Sequence, residues 1–401
     1  MSSTLLAVSD ALAALLEQAT APVKTESRSL LRARGCVLAE DIRAAIAVPG
    51  EDNSAMDGYA LRAADAAGPL PVTQRIPAGA SPRPLAPGTA ARIFTGAPVP
   101  TGADTVVMQE NCVEEQGVLR VQAAVTAGAN IRRRGQDLAE GDCVLRAGRR
   151  LSAADLGLLA SVGHGEVTVF SPLRVALLST GDELVEPGTG PLGAGQVYNS
   201  NRVMLAGLLQ ALGLEVVDCG IVADDVDATA IALRWAATNA DCVISSGGVS
   251  VGEEDHIKEE VRQLGELLLW RLAIKPGKPL AFGNVLGVPF IGLPGNPVSS
   301  YVTFCLLARP FLLRCQGATE LAPLPLSARA AFAVTQAGSR QEYLRVNVQP
   351  EAGGLVARPF ANQSSGVLSS VCQSNALAVI PVGATVAEGD QVEILLLDTF
   401  G

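Results

Sequence analysis

Between residue 171 and about residue 320 the polarity of the chain switches at a steady rhythm. Short, almost wholly apolar runs ("RVALLST", "EVVDCGIV", "DCVISS", "VPFIGL") alternate with longer segments whose apolar positions recur every three or four residues. These are "NSNRVMLAGLLQALG", "DATAIALRWAATNA", "EDHIKEEVRQLG" and "NPVSSYVTFCLLARPFLL". Continuous apolar runs fit strands buried on both faces, and a period of 3.6 fits amphipathic helices. The rhythm predicts a mostly parallel α/β sheet with helices on both sides.

The flanking pattern differs. Residues 1 to about 46 are Ala/Leu-rich and read as helical. A second helical piece, "LSAADLGLLASVG", has Ser152 as N-cap, Asp155 three positions on and Gly163 just past its end, and is expected to pack against the first. Residues 47–137 are rich in Pro, Gly and Val, with short alternating runs such as "GTAARIF" and "ADTVVMQE". They read as a small β domain inserted between the helical pieces. From about 322, "RAAFAVT", "EYLRVNV", "ALAVIPV" and "QVEILLL" predict a β-barrel or sandwich. The expected organisation is a helical linking domain (1–46 with 138–170), a small β domain (47–137), an α/β domain (171–321) and a C-terminal β domain (322–401).

Composition narrows the function. Hydrophobic residues make up 48% and charged residues 17%, ample for several cores. The net charge of −10 argues against a general nucleic-acid surface. The N-terminal apolar run lacks a basic n-region, and no apolar run reaches transmembrane length, so a cytoplasmic protein with no membrane partner is expected. Eight scattered cysteines form no CxxC pair and read as small buried hydrophobes. The two histidines, His164 and His256, sit in no catalytic or zinc pattern and read as solvated or local hydrogen-bond formers.

In open α/β sheets ligands bind beyond the carboxyl ends of the strands. Three loops occupy that place: "STGDEL", "VISSGGVSVGEED" and "GLPGNPVSS". Gly247, Gly248 and Gly252 let backbone approach a ligand, while Ser245, Ser246 and Ser250 add hydroxyl donors. Pro294 and Pro297 bracket Gly295 and Asn296, with Pro297 at the first position of the next helix. The same loops carry Asp182, Glu183, Glu253, Glu254 and Asp255. Carboxylates beside an anion site suit a Mg²⁺-assisted phosphate reaction, with Glu183 and Asp255 as candidate ligands, or else cap the helices.

The chain holds only four lysines, and two of them, Lys275 and Lys278, share one Pro/Gly-stiffened tetrapeptide, "KPGK". A compact ammonium suits a multiply charged oxyanion, where arginine offers a planar fork. The pair points to a small tetrahedral anion. Special residues also gather in the small β domain: Asp57 in "NSAMDGYA", Thr95 in "RIFTGAPVP" and Asp137 in "RRRGQDL".

Taken in order, "NSAMDGYA", "RIFTGAPVP", "RRRGQDL", "STGDEL", "VISSGGVSVGEED", "AIKPGKP" and "GLPGNPVS" resemble the MoeA family, the molybdopterin molybdenumtransferases related to the gephyrin E domain. The resemblance implies a MogA-like α/β domain at 171–321 that binds molybdopterin, and a C-terminal barrel. It implies insertion of molybdenum from molybdate into adenylylated molybdopterin, with Mg²⁺-dependent release of AMP. It further implies a homodimer whose active cleft is shared between subunits, bringing Asp57, Thr95 and Asp137 opposite the Gly-rich loops. By the same resemblance Lys275, Lys278, Ser250, Ser299 and Arg345 hold molybdate. Asp57, Asp137, Glu183, Asp224 and Asp255 match acidic residues tied to activity, and Thr95 a family threonine. Arg271 stands where some members have lysine. A pterin-adenylylating enzyme and molybdoenzyme acceptors are the implied partners. An adenylyltransferase, a non-catalytic pterin carrier or scaffold, and a tungstate-selective enzyme remain alternatives.

Overall fold

The computed structural model describes residues 5–20, 24–248 and 256–400. Its centre is a six-stranded sheet in the order Glu215–Val222, Arg174–Thr180, Cys242–Ser246, Val288–Leu293, Pro279–Val285, Gly265–Arg271. The first four strands are parallel, and the last two run antiparallel on one edge. Burial on both faces explains the unbroken apolar runs. Along Arg174–Thr180, Val175 and Leu177 join one core and Ala176 and Leu178 join the other. The first core receives Leu205 and Leu209 from the helix Ser200–Ala211 together with the long helix that starts at Pro297; the second receives Leu233, Ile257 and Val261 from the opposite side. Each large aliphatic side chain sealed this way contributes about 1.5–3 kcal/mol.

The helix that starts at Pro297 runs to Cys315, with a π-helical turn at Phe304–Ala308. Against expectation, it is long and apolar enough to cross a membrane, but 89% of its most apolar window is buried against protein. Its composition reflects a position in the middle of the largest core.

Residues 1–46 depart most from the expected pattern. Within the described residues helix is confined to Val8–Glu17, apart from the 3-10 turn Leu30–Arg32. That helix places Val8, Ala11 and Leu15 in the central core rather than against the second helical piece. The Ala/Leu richness past residue 17 belongs to short extended segments. Thr25–Ser29 pairs antiparallel with Glu166–Phe170, and Ile42–Arg43 pairs with Cys143–Leu145. The helix Ala153–Ser161 packs over these strands through Leu159, with Ala33, Leu38, Leu151 and Val169 beneath it. Its start is the capping box read from the sequence: the Ser152 hydroxyl accepts from the Asp155 N–H, and Asp155 accepts from the Ser152 N–H at 2.8 Å.

The inserted segment forms a six-stranded sheet around the strand Gly58–Leu61. Gly58 is required there, because a Cβ would sit 1.9 Å from the Val107 carbonyl oxygen of the neighbouring strand. The C-terminal segment closes a five-stranded barrel of Gln341–Glu351, Gly354–Pro359, Leu326–Ala330, Gln391–Leu396 and Ala376–Ile380, the last pairing back to the first. The two-residue strand Ile274–Lys275 leaves the α/β unit and pairs in parallel with Gln341–Glu342 on the edge of this barrel.

All eight cysteines are free. Cys242, Cys305 and Cys315 are buried, but Cys143 and Cys372 are exposed, contrary to the buried reading. His164 is half-buried, and its Nε2 lacks a partner among the described residues.

Candidate active site

At the carboxyl ends of the parallel strands lies a cleft of about 1230 Å³. Its floor is the set of loops singled out by glycine and proline, and they touch one another. The Gly247 N–H donates to the Leu293 carbonyl at 3.1 Å, and Asn201 donates its side-chain N–H to the Gly295 carbonyl at 2.7 Å. A Cβ on Gly247 would lie 3.1 Å from the Thr180 carbonyl oxygen, so this strand end is packed to backbone contact. Gly247 and Gly248 both hold positive φ, 92° and 70°, a region open to glycine at little cost.

One wall is the lysine turn. Lys275, Pro276, Gly277 and Lys278 all line the cleft, with Ser299 of the helix that starts at Pro297. The turn rests on that helix. Gly277 has φ 108°, and a Cβ there would fall 2.4 Å from the buried Thr303 Oγ1. Lys278 is half-buried and has no ion-pair partner among the described residues. Lys275 is held: its ammonium donates to both carboxylate oxygens of Glu342, at 3.0 and 3.1 Å.

Glu183 and Asp224 also line the cleft. The Asp224 N–H donates to Asp182 Oδ1 at 3.2 Å, which ties the loop after Arg174–Thr180 to the one after Glu215–Val222. No cluster of three or more His, Cys, Asp or Glu able to cage a metal occurs among the described residues. Ser250 and Asp255 lie outside the described residues.

Sequence reasoning placed Gly247, Gly248, Pro294, Gly295, Asn296, Pro297, Ser299, Lys275, Lys278, Glu183 and Asp224 here, and all of them line the cleft. Three binding candidates do not. Ser245 is fully buried one layer below, within the strand Cys242–Ser246. Arg271 ends the edge strand and is not among the residues that line the cleft. Arg345 is only 1% exposed, on the strand Gln341–Glu351 but on the face opposite the barrel core that takes Leu344, Val346 and Val348. Its guanidinium donates to the Tyr343 carbonyl, Ser370 Oγ and the Ser364 carbonyl, while its N–H donates to the Gln363 side chain. Burial pulls its pKa down to about 10. Arg345 supports the Gln363–Gly366 loop, and the loop is what reaches the cleft.

That loop was missed. Gln363, Ser364, Ser365 and Gly366 line the cleft, and the Ser365 carbonyl accepts from the Val298 N–H at 3.0 Å. Arg340, Tyr198, Asn199 and Asn201 were also missed. The available signals were the polar runs "ANQSSG" and "YNSN".

None of residues 47–137 lines this cleft. Within the small β domain, however, two of the three candidates meet. Asp57 Oδ1 accepts from both the N–H and the hydroxyl of Thr95, each at 2.8 Å. These bonds, with the Arg92 guanidinium nearby, hold the exposed Asp57 carboxyl below the usual range. Arg92 itself stacks between Tyr59 and Phe94, 5.0 and 4.8 Å from their ring centres. Asp137 is exposed on the turn whose N–H donates to the Val48 carbonyl. The arginines before it bind Asp52: Arg133 donates at 2.6 Å and the Arg134 N–H at 2.8 Å.

The geometry matches known proteins along its length. Residues 6–163 match the MoeA N-terminal region (domains I and II). Residues 176–314 match a probable molybdopterin binding domain, and 327–397 match the MoeA C-terminal region (domain IV). A molybdopterin molybdenumtransferase of Haemophilus influenzae is 40% identical over 385 residues, covering 94% of each chain. Molybdopterin molybdenumtransferase 2 of Mycobacterium tuberculosis is 37% identical over 380 residues, 91% of this chain and 93% of that one. The crystal structure of a molybdopterin biosynthesis moeA protein from Pyrococcus horikoshii OT3 aligns with a TM-score of 0.84 at 30% identity, over 98% of this chain and all of that one.

Proposed function

Since the chain belongs to the MoeA family of molybdopterin molybdenumtransferases, we propose that it takes molybdenum from molybdate into adenylylated molybdopterin and releases AMP. One observation carries this reading: two of the chain's four lysines and Ser299 stand together on the wall of a cleft floored by Gly-rich strand ends. Molybdate is a tetrahedral dianion. Ammonium groups, a serine hydroxyl and backbone donors neutralise and orient it against the dithiolene sulfurs. Positioning and charge stabilisation then supply most of the rate, with little covalent work by the protein.

The carboxylates serve the other end of the substrate. Mg²⁺ is commonly held by one or two carboxylates together with substrate phosphate oxygens. Glu183 and Asp224, which both line the cleft, fit that donor set. When bound, the ion supplies charge neutralisation at the AMP linkage.

Asp57, Thr95 and Asp137 act in our reading from a second subunit of a homodimer. Their absence from the lining of the cleft in the same chain supports that arrangement. The reaction belongs in the cytoplasm, where eight free cysteines are at home. A pterin-adenylylating enzyme supplies the substrate and molybdoenzymes accept the product.

The test is AMP release from adenylylated molybdopterin, with and without molybdate, for the wild type and Lys275→Ala. Molybdate-dependent release that collapses in the variant supports the reading. Release indifferent to molybdate and to the substitution overturns it; ATP consumption with molybdopterin and no molybdate requirement points to an adenylyltransferase, and pterin binding with no release points to a carrier.

A further inference from the structure

The lysine turn belongs to the α/β unit, but the group that holds Lys275 does not. Glu342 lies 67 residues further along the chain and on the C-terminal barrel. The two meet because Ile274–Lys275 pairs in parallel with Gln341–Glu342, in register Lys275 to Glu342. The Gln341 N–H also donates to the Ala273 carbonyl at 2.8 Å, fixing the crossing. The Lys275 side chain is half exposed to the cleft, whereas the Glu342 side chain is only 20% exposed and uses both oxygens on the ammonium. The barrel therefore presents a fixed carboxylate to a movable cation beside an anion site.

We propose that Glu342 is a positioning residue for metal-oxyanion binding: it parks the Lys275 ammonium at the cleft wall and competes with the incoming dianion for it. This inference rests on the reading of Lys275 as an oxyanion ligand. A carboxylate so close to an anion site opposes anion binding directly, by like-charge repulsion. It also opposes it indirectly, because the anion must draw Lys275 away or share it. Both effects have the same sign. In return the lysine, with four rotatable side-chain bonds, is kept at the cleft wall. Neutralising Glu342 therefore tightens oxyanion binding, where a structural role alone would leave it equal or weaker.

The size follows from Coulomb interaction between a unit charge and a dianion several ångströms apart in a partly solvated cleft. Discounted for exposure, it corresponds to a change on the order of tenfold in affinity at low salt, shrinking as salt rises. Glu342→Gln keeps a carbonyl oxygen for the ammonium, so the fold contact survives without the charge. Glu342→Ala is the second variant.

The experiment titrates molybdate alone into the full-length wild type, Glu342→Gln, Glu342→Ala, Lys275→Ala and the Lys275→Ala/Glu342→Gln pair by calorimetry. Thermal melting confirms folding, and steady-state kinetics follow. The expected result is a molybdate Kd about tenfold lower in Glu342→Gln, and a KM for molybdate lowered without a rise in kcat. In the Lys275→Ala background the same change gives a markedly smaller gain. Unchanged or weaker molybdate binding by folded Glu342→Gln and Glu342→Ala overturns the inference, and so does a gain of equal size with Lys275 absent. Wild-type molybdate affinity in Lys275→Ala is a different failure, because it removes Lys275 from the oxyanion site and with it the reading of the function.

Discussion

Substituting Gly277 by alanine tests whether the lysine turn is a built oxyanion site. Two independent penalties fall on the new methyl group. The first is conformational: φ at Gly277 is 108°, where a residue with a Cβ is strained by about 1–3 kcal/mol. The second is steric. The Cβ would lie 2.4 Å from Thr303 Oγ1, and Thr303 is fully buried within the helix that starts at Pro297, with a stiff β-branched side chain. Overpacking of this kind costs about 1–3 kcal/mol more. The turn escapes by moving away from the helix, carrying Lys275 and Lys278 with it. A penalty of about 3 kcal/mol corresponds to roughly a hundredfold loss of molybdate affinity, with the rest of the fold intact. Calorimetric titration with molybdate measures it, beside urea unfolding of the same samples. Thr303→Ala removes the hydroxyl, so the Gly277→Ala/Thr303→Ala pair should recover the steric share but not the conformational one. If Gly277→Ala binds molybdate as the wild type does, the turn does not set the lysines and the argument built on it fails.

Four further outcomes follow. Mixing Asp57→Asn with Lys275→Ala, each inactive alone, should restore about a quarter of wild-type AMP release if the site is shared across a twofold dimer, and nothing if each chain holds a whole site. Thr95→Val should raise the Asp57 pKa toward the ordinary value, because the Thr95 hydroxyl is among the bonds that depress it. The depressed carboxylate keeps its charge above its folded pKa and loses it as pH falls through that value, so the acid limb of the kcat/KM profile moves to higher pH in the variant. Asp155→Ala removes the capping box and the 2.9 Å bond from Arg149, and urea unfolding should show a loss of about 2–3 kcal/mol above pH 5. Arg345→Met removes the guanidinium bonds to the Tyr343 and Ser364 carbonyls and to Ser370 Oγ, so molybdate affinity should fall through loosening of the Gln363–Gly366 loop, with the cleft lysines intact.

What could be read from the sequence follows from how local each signal is. The parallel sheet announced itself because burial on both faces forces unbroken apolar runs such as "RVALLST", whose alternate residues feed two cores. The cleft floor was legible for a similar reason. Close approach of backbone, as at Gly247 beside Thr180, admits only glycine, and the demand is written at the position itself. The helical reading of residues 18–46 failed because Ala and Leu there fill the small core under Ala153–Ser161 from extended segments, and composition without period does not distinguish the two. Arg345 entered the site through the family resemblance alone; in the fold it is buried and bonds to the Tyr343 and Ser364 carbonyls as a brace for the Gln363–Gly366 loop.

The pairing of the lysine turn with the edge of the C-terminal barrel left no signal in the sequence, and its absence from the sequence reading hid a difference between the two lysines. In "KPGK" they look equivalent. In the fold, Lys275 stands in register with Glu342 of another domain, and Lys278 has no ion-pair partner among the described residues. Only a non-local strand pairing makes that distinction, and strand pairing between domains leaves no local pattern to read. The consequence is chemical. Lys278 meets no carboxylate among the described residues, while Lys275 offers its charge less what Glu342 withholds. Two ammonium groups in one turn therefore need not bind an oxyanion equally. Lys278→Ala should cost more molybdate affinity than Lys275→Ala, and the gap should close when Glu342 is also neutralised. Equal losses in both backgrounds would show that the ion pair exerts no hold on the lysine.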